Sequence, residues 1–344
     1  MDSLTQVVLG AAVGEVTLGK KVGNKAMLWG AIAGTIPDLD VIGRLFLDDI
    51  TAQEVHRGFT HSLLFSVIMA PVLAWMVNKL YHKKNEATWG GWTKLMFWSF
   101  VTHPLLDCHT TWGTQFFWPF DLRIAYNNIN VVDPIYTVPF LLLVFAALFF
   151  KRTSRTRNLL VVWGLILSSS YMLVTVAAKF YTKSIFEESL REQGYTYQRF
   201  SNKPTIGNSV LWTANVEATD SMYIGYYTLM DADKKIRFIG HPKHHERIAD
   251  IRNEDQVARL IKLTKDWYVV QREGDKLIIC DMRFGEMTEG SGAFVFSNYI
   301  EKQGGEYVII RKEPEFDSST MRKFISMLWA RIRGDKDALI LQNE

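Results

Sequence analysis

Two stretches of this chain, residues 62–78 and 159–178, carry no charged side chain over lengths that suit a lipid bilayer. A membrane-crossing helix needs about 20 mostly apolar residues, and a slightly shorter one is extended by flanking lysines and tyrosines that reach the interface. Lys79, Tyr81 and Lys83 stand where the first stretch needs them. Apolar runs recur up to about residue 180, whereas beyond it charges come every few positions and no run could cross a bilayer. The averages over 344 residues, 48% hydrophobic and 22% charged, conceal this division. It predicts an α-helical polytopic membrane domain over residues 1–180, followed by a mixed α+β soluble domain with an antiparallel sheet over residues 181–344.

Within the first part, residues 4–19 form a helix rich in small residues, where Gly10, Ala11, Ala12 and Gly14 let a neighbour approach closely. Gln6 and Glu15 turn that helix toward protein rather than lipid. Further spans are expected over residues 27–43, 95–107 and 131–150. Basic clusters follow Gly19, Lys79 and Phe150, at every second connection, while the intervening loops hold only Arg44, Arg57 and Arg123 among acidic residues. By the positive-inside rule these clusters are cytoplasmic, which puts the N-terminus and the C-terminal half outside. In the second part, alternating patterns at residues 208–218, 222–231, 266–285 and 305–312 predict strands, with Glu273-Gly274-Asp275 as a hairpin turn. Helices are expected at residues 254–264 and 319–332.

The net charge of +3 is spread along the chain without a basic, aromatic-interleaved stripe, so nucleic acid is not an expected partner. Cys108 and Cys280 are the only cysteines and leave either one disulfide or two free thiols open. The first residues lack the basic region and cleavage site of a secretory signal, so the first apolar segment is expected to be retained.

Residues able to bind metal fall where polar loops meet apolar segments. They are Asp38 and Asp40 after the second segment, His56 and His61 before the third, with Arg57 between them as a holder of anions, His103 and Asp107 at the end of the fourth, and Asp133 at the start of the fifth. In an alternating topology all of these ends lie at the outer face, so they are expected to converge on one metal site. His103 and Asp107 share a helical face if the helix continues through Pro104. His56 and His61 do not share one, so His56 belongs to the loop and Gly58 permits the reversal between them. Arg57 suits either a substrate anion or a lipid headgroup. Asp133 before Pro134 suits either a helix cap or a catalytic carboxylate. Ionisable residues at membrane depth are costly, which favours function over chance.

The segments MDSLTQVVLGAAVGE, GTIPDLDV, HRGFTHSLLF and THPLLDCHTTWGTQFFWPF, with Val132-Asp133-Pro134, resemble the YdjM-like group of bacterial inner-membrane proteins classed as metal-dependent hydrolases. The resemblance covers residues 1–180. It implies a membrane-embedded, zinc-dependent hydrolase with His56, His61, His103 and Asp107 as ligands and Asp38 and Asp40 completing the site. Many broader relatives carry Thr-His where this chain reads Thr5-Gln6, so the site either has fewer ligands or uses Gln6 as a neutral oxygen donor. The expected activity is hydrolysis of an ester or phosphoester, small or lipid-like, at the outer face of the cytoplasmic membrane, with Asp38 or Asp133 as general base and Arg57 holding the anion. The competing reading is a non-catalytic membrane protein that uses the same residues as a structural metal site or an ion relay. The oligomeric state is left open.

Overall fold

The computed structural model describes residues 1–81, 87–312 and 318–339. His82, Lys83 and Lys84 of one basic cluster lie outside the described residues. The chain divides into two compact units: Met1–Leu47, Glu54–Ala177 and Ile206–Asn208 form the first, and Asp48–Gln53, Ala178–Thr205 and Ser209–Glu344 the second.

In the first unit, α1 (Ser3–Gly14) begins on Asp2, whose carboxylate accepts the Thr5 amide at 3.0 Å. It runs into a π-helical turn, Glu15–Gly19, then α2 (Lys20–Val22) and α3 (Asn24–Thr35). The backbones of α1 and α3 touch. A Cβ on Gly10 would lie 2.2 Å from the Gly30 carbonyl oxygen, and one on Gly30 would lie 2.1 Å from that of Gly10. Only glycine fits this crossing. A 3-10 stretch, Ile36–Leu45, follows α3, and α4 (Asp49–Val55) leads to a 3-10 turn, Phe59–His61. Helices α5 (Leu63–Tyr81), α6 (Trp89–Asp107), α7 (Pro134–Ala147) and α8 (Arg155–Glu192) complete the helical set.

Two of these, α5 and α8, are long and apolar enough to cross a membrane, while α7 is apolar but shorter. The other expected spans are broken up: α1 and α3 have 12 residues each, divided by Glu15 and Lys20–Lys25 and ended at Pro37, and α6 carries Lys94, His103 and Asp107. Most of the apolar packing runs in two clusters, with a smaller one at Val101, Cys108 and Phe116. Val8, Ala12, Phe140, Val144 and Val161 join α1, α7 and α8, and Ala26, Phe65, Ala74, Trp92, Leu95 and Phe100 join α3, α5 and α6.

The end of this unit that carries the basic residues is tied by one buried ion pair. Arg157 donates to both carboxylate oxygens of Glu15, at 2.7 and 2.6 Å, and also to the Phe150 carbonyl at 3.1 Å. Arg152 reaches the Lys21 carbonyl at 2.6 Å. The loops after α1 and α7 therefore meet at one end, as an alternating helical path requires.

The second unit holds two four-stranded antiparallel sheets where a single sheet was expected. Strands β1 (Arg199–Pro204), β2 (Leu211–Glu217), β3 (Ser221–Thr228) and β4 (Phe238–Pro242) form one meander, and β5 (Tyr268–Glu273), β6 (Lys276–Asp281), β7 (Ser297–Gln303) and β8 (Glu306–Lys312) the other. Strand alternation sorts the side chains into layers. Trp212, Ala214 and Val216 face Phe186 and Leu190 of α8, while Leu211, Met222 and Ile224 face Val269, Ile278 and Cys280 of the second sheet. The outer face of that sheet packs Val270 and Ile279 on Val257, Leu260 and Ile261 of α9 (Asp255–Leu263). The expected hairpin forms, with Glu273 opposite Lys276 and Gly274 at φ +58°. A last helix, α10, covers Ser318–Ile332, and both cysteines are free.

Candidate metal centre

The site is assembled from four places in the helical unit. Pro37 and Asp38 open the 3-10 stretch after α3, His61 closes the short turn before α5, and His103 and Asp107 sit one turn apart on α6, which continues through Pro104. Ligand atoms from Asp38, His61, His103 and Asp107 all lie within 4.8 Å of one another, a group that could hold a metal ion. His61, His103 and Asp107 are fully buried, and only Asp38 is reached by solvent, its side chain 18% exposed.

Hydrogen bonding fixes which imidazole nitrogen faces the centre. His103 Nδ1 lies 2.6 Å from the Gly34 carbonyl oxygen, which only accepts, so that nitrogen carries the proton. The Thr60 hydroxyl donates to Asp40 Oδ2 at 3.1 Å, which leaves its oxygen to accept from His61 Nδ1 at 3.0 Å. Both Nε2 atoms are thus left with lone pairs, 3.1 Å apart. Asp38 Oδ1 is 3.3 Å from His61 Nε2 and 3.4 Å from His103 Nε2, and Asp107 Oδ2 is 3.4 and 3.5 Å from the same two atoms. Four acceptors facing one another at this range repel unless positive charge lies between them. Asp107 Oδ2 is buried without a hydrogen-bond partner, which marks the same need.

The neighbours of this group hold its members in place. Gln6 donates through Nε2 to Asp107 Oδ1 at 3.1 Å and to the His103 carbonyl at 3.3 Å, so its amide orients the carboxylate. The Met1 amino group also contacts Asp107 Oδ1. Arg57 Nε approaches Asp107 Oδ2 at 3.3 Å, and its Nη1 donates to Thr110 Oγ1 at 2.8 Å. Thr110 in turn donates to the Asp107 carbonyl at 2.8 Å. Arg57 is buried at φ +57° and points at the cluster, where it offsets the charge of Asp107.

The remaining candidates are placed differently. Asp40 turns away from the four-atom group and collects the donors of the His56–His61 loop: His56 Nδ1 at 2.9 Å, the Arg57 amide at 2.8 Å and the Thr60 hydroxyl at 3.1 Å. Its Oδ2 also lies 3.4 Å from His61 Nδ1. His56 belongs to that loop and not to the four; burial holds its imidazole below the ordinary value against the pull of Asp40. Asp133 is the N-cap of α7, accepting the Ile135 and Tyr136 amides at 3.0 and 3.3 Å and the Tyr171 hydroxyl at 3.0 Å. His109 bonds Asn128 at 2.8 Å. Thr110 and the Gly34 carbonyl were not singled out in the sequence; Thr110, three residues past Asp107, carried the only signal, that of a hydroxyl closing a helix end.

The chain is thus a protein with a helical region around a buried His/Asp cluster able to take a metal, joined to a two-sheet domain. Residues 1–181 match the family described as YdjM inner membrane protein, and the chain belongs to it. No curated protein and no solved structure matches it.

Proposed function

We propose that the cluster is the metal centre of a hydrolase acting on an ester or phosphoester, with zinc as the ion. The observation that carries this reading is the set of separations among the four ligand atoms. A tetrahedral zinc site with ligands at about 2.0–2.2 Å has edges of roughly 3.3–3.6 Å, and the five separations that involve an imidazole Nε2 run from 3.1 to 3.5 Å, with Asp38 and Asp107 within 4.8 Å of each other. His61, His103 and Asp107 are the buried ligands. Asp38 stands at the solvent-reached corner, where its carboxylate would give up the fourth position to a water and take that water's proton from beside it.

When bound, a divalent ion supplies Lewis acidity and lowers the pKa of a water in the site. The protein does the rest by position. Asp40, through Thr60 and His61 Nδ1, fixes the His61 ring, in the manner of a carboxylate behind a metal-binding histidine. Gln6 and Arg57 fix Asp107. Asp133, as a cap, supports α7 and takes no part in proton transfer.

The helical unit is best read as multi-pass in the inner membrane. The basic residues after α1 and α7, expected in the cytoplasm, meet at the Glu15–Arg157 end, and the His/Asp cluster occupies the opposite ends of α1, α3 and α6, which supports a site at the outer face. The soluble domain is then extracytoplasmic. The exposed apolar side chains Leu39, Phe59 and Leu105 beside the ligands suit a lipid-like substrate.

The test is metal content of purified protein by mass spectrometry, wild type beside His61→Ala and His103→Ala, coupled to a screen of phosphoesters and lipids. One equivalent of zinc lost in both folded variants, together with turnover lost in Asp38→Asn while zinc is kept, is the expected result. Zinc kept but no turnover in wild type with any ester would favour the structural-metal reading, which the four-ligand geometry also suits. Well-folded wild type without metal would sink both.

A further inference from the structure

The second unit contains a cavity of about 860 Å³ lined by β4 of one sheet, β5–β7 of the other and the segment from Met287 to Phe294. Its lining is graded. Val269, Ile278 and Phe294 are buried and give it an apolar inner wall. Arg247 and Arg272 line it as exposed residues, with His241 and His244 beside them. A neighbouring cavity of about 620 Å³ shares the same two arginines, so both guanidinium groups stand between two open volumes.

The charge of this lining is not balanced from within. Glu273 is its one carboxylate among the described residues, and it accepts the Tyr299 hydroxyl at 2.8 Å. Arg247 reaches a carbonyl, that of Val270, at 3.4 Å, and Arg272 reaches the Gly274 carbonyl at 2.9 Å and Asp275, on the exposed turn, at 3.5 Å. His241 adds an independent sign. Its Nε2 is buried without a hydrogen-bond partner, 3.5 Å from a Glu286 oxygen that already accepts the Gly290 amide at 2.8 Å. With the Glu286 carboxylate near but outside good hydrogen-bond geometry, this buried ring nitrogen keeps a place for a polar group entering the cavity.

We infer that this cavity binds a small amphiphilic anion, a phosphate or carboxylate head on a short apolar body. The body fills the space against Val269, Ile278 and Phe294, as apolar pockets with a few convergent polar groups do. The head meets the planar forks of Arg247 and Arg272, which suit phosphate and carboxylate oxygens, and a polar atom near the head completes His241. This site shares no residue with the His/Asp cluster and does not rest on the hydrolase reading.

The experiment uses the full chain in lipid nanodiscs, titrated calorimetrically with phenylphosphonate, which has no ester bond to cleave, in the presence of a chelator and with empty nanodiscs as blank. Hexanoate tests the carboxylate head, inorganic phosphate the head without a body, and benzyl alcohol the body without a charge. Wild type and His61→Ala should bind phenylphosphonate saturably and equally. Arg247→Met and Arg272→Met, both at exposed positions, should weaken it roughly tenfold or more, and Ala293→Trp, at an exposed position of the lining, should block it. Absence of saturable binding, equal binding by the arginine variants, or benzyl alcohol or inorganic phosphate binding as well as phenylphosphonate would each overturn the inference.

Discussion

Asp40 offers the sharpest test of how the site is held, because it touches every part of the loop before α5 and none of the open face. One of its oxygens takes His56 Nδ1, and the other takes the Arg57 amide and the Thr60 hydroxyl and lies 3.4 Å from His61 Nδ1. Asp40→Asn keeps the shape but replaces one acceptor oxygen by a donor. The amide oxygen must then serve the side with more donors, and His56 must change tautomer to accept from the amide nitrogen. Hydrogen bonds to a charged partner contribute about 1.5–3 kcal/mol and neutral ones about 0.5–1.5, so three downgraded bonds that are not additive amount to roughly 2–4 kcal/mol of local stability. At the metal the effect is smaller, because His61 keeps its place but loses its negative partner. Removal of such a supporting carboxylate typically weakens metal affinity 10–100-fold. Competition for zinc against a chromophoric chelator, on protein in nanodiscs, measures this directly. Asp40→Asn should lose 10–100-fold with the fold retained, and Asp40→Ala, which leaves the Arg57 amide unpaired, should lose more. Wild-type affinity in Asp40→Asn would refute the claim that this carboxylate positions His61. Complete loss of metal in folded Asp40→Asn would instead make Asp40 a ligand.

Three further outcomes follow from buried groups elsewhere. Glu15→Ala leaves the Arg157 guanidinium buried without its carboxylate and should destabilise the helical unit by about 3–5 kcal/mol, while Glu15→Met with Arg157→Met should recover much of the loss; thermal denaturation in detergent distinguishes them, and additive single losses would refute the pairing. Gly30→Ala puts a methyl 2.1 Å from the Gly10 carbonyl, a backbone atom that cannot step aside, so it should cost about 1–3 kcal/mol or more and, because Gly34 holds His103, lower zinc affinity as well. Burial, partly offset by Asp281, lowers the Lys203 ammonium from 10.5 to about 7. Between those values the unfolded chain binds the proton and the folded one does not, so stability rises with pH from 7 towards 10.5. Lys203→Met should therefore stabilise the sheet domain at pH 6, with a ceiling of about 5 kcal/mol, and have little effect at pH 10.5, as followed by hydrogen exchange in β1 and β2; equal effects at both pH values would refute the burial of a strained ammonium.

The parts of the molecule that were legible in the sequence are those where one residue type has one physical use. Long uncharged runs gave α5 and α8, Gly274 gave the β5–β6 turn, and Asp38, His61, His103 and Asp107 stood out because ionisable groups are costly among apolar segments. The sheet domain was harder. Strands β1 (RFSNKP) and β7 (SNYIEKQ) lack the alternation that marked β2 and β3, because part of what they bury is polar, Asn202, Lys203 and Asn298, and β4 (FIGHP) is short and buries only Phe238. Nothing short-range reveals that eight strands divide into two sheets, since that choice is made by Leu211, Met222 and Ile224 meeting Val269, Ile278 and Cys280 across the sandwich. The roles of Asp40 and Arg57 were hidden for a related reason. Whether a carboxylate faces an ion or a loop amide depends on one turn of backbone, here the 3-10 stretch from Ile36 to Leu45.

The two ends of α1 explain why the ionisable residues of this unit belong to one design. Gln6 near its start holds Asp107, and Glu15 just past its end holds Arg157. Between them lies the glycine crossing with α3, whose own end provides the Gly34 carbonyl for His103 and then Asp38. A helix fixed at both ends by charge and in the middle by backbone contact has no freedom to slide. A shift of one residue, about 1.5 Å, is large beside the 3.1–3.5 Å that separate the two imidazole Nε2 atoms from each other and from the carboxylates, so the rigidity of the α1–α3 pair is what allows three buried ligands to be aimed at one point.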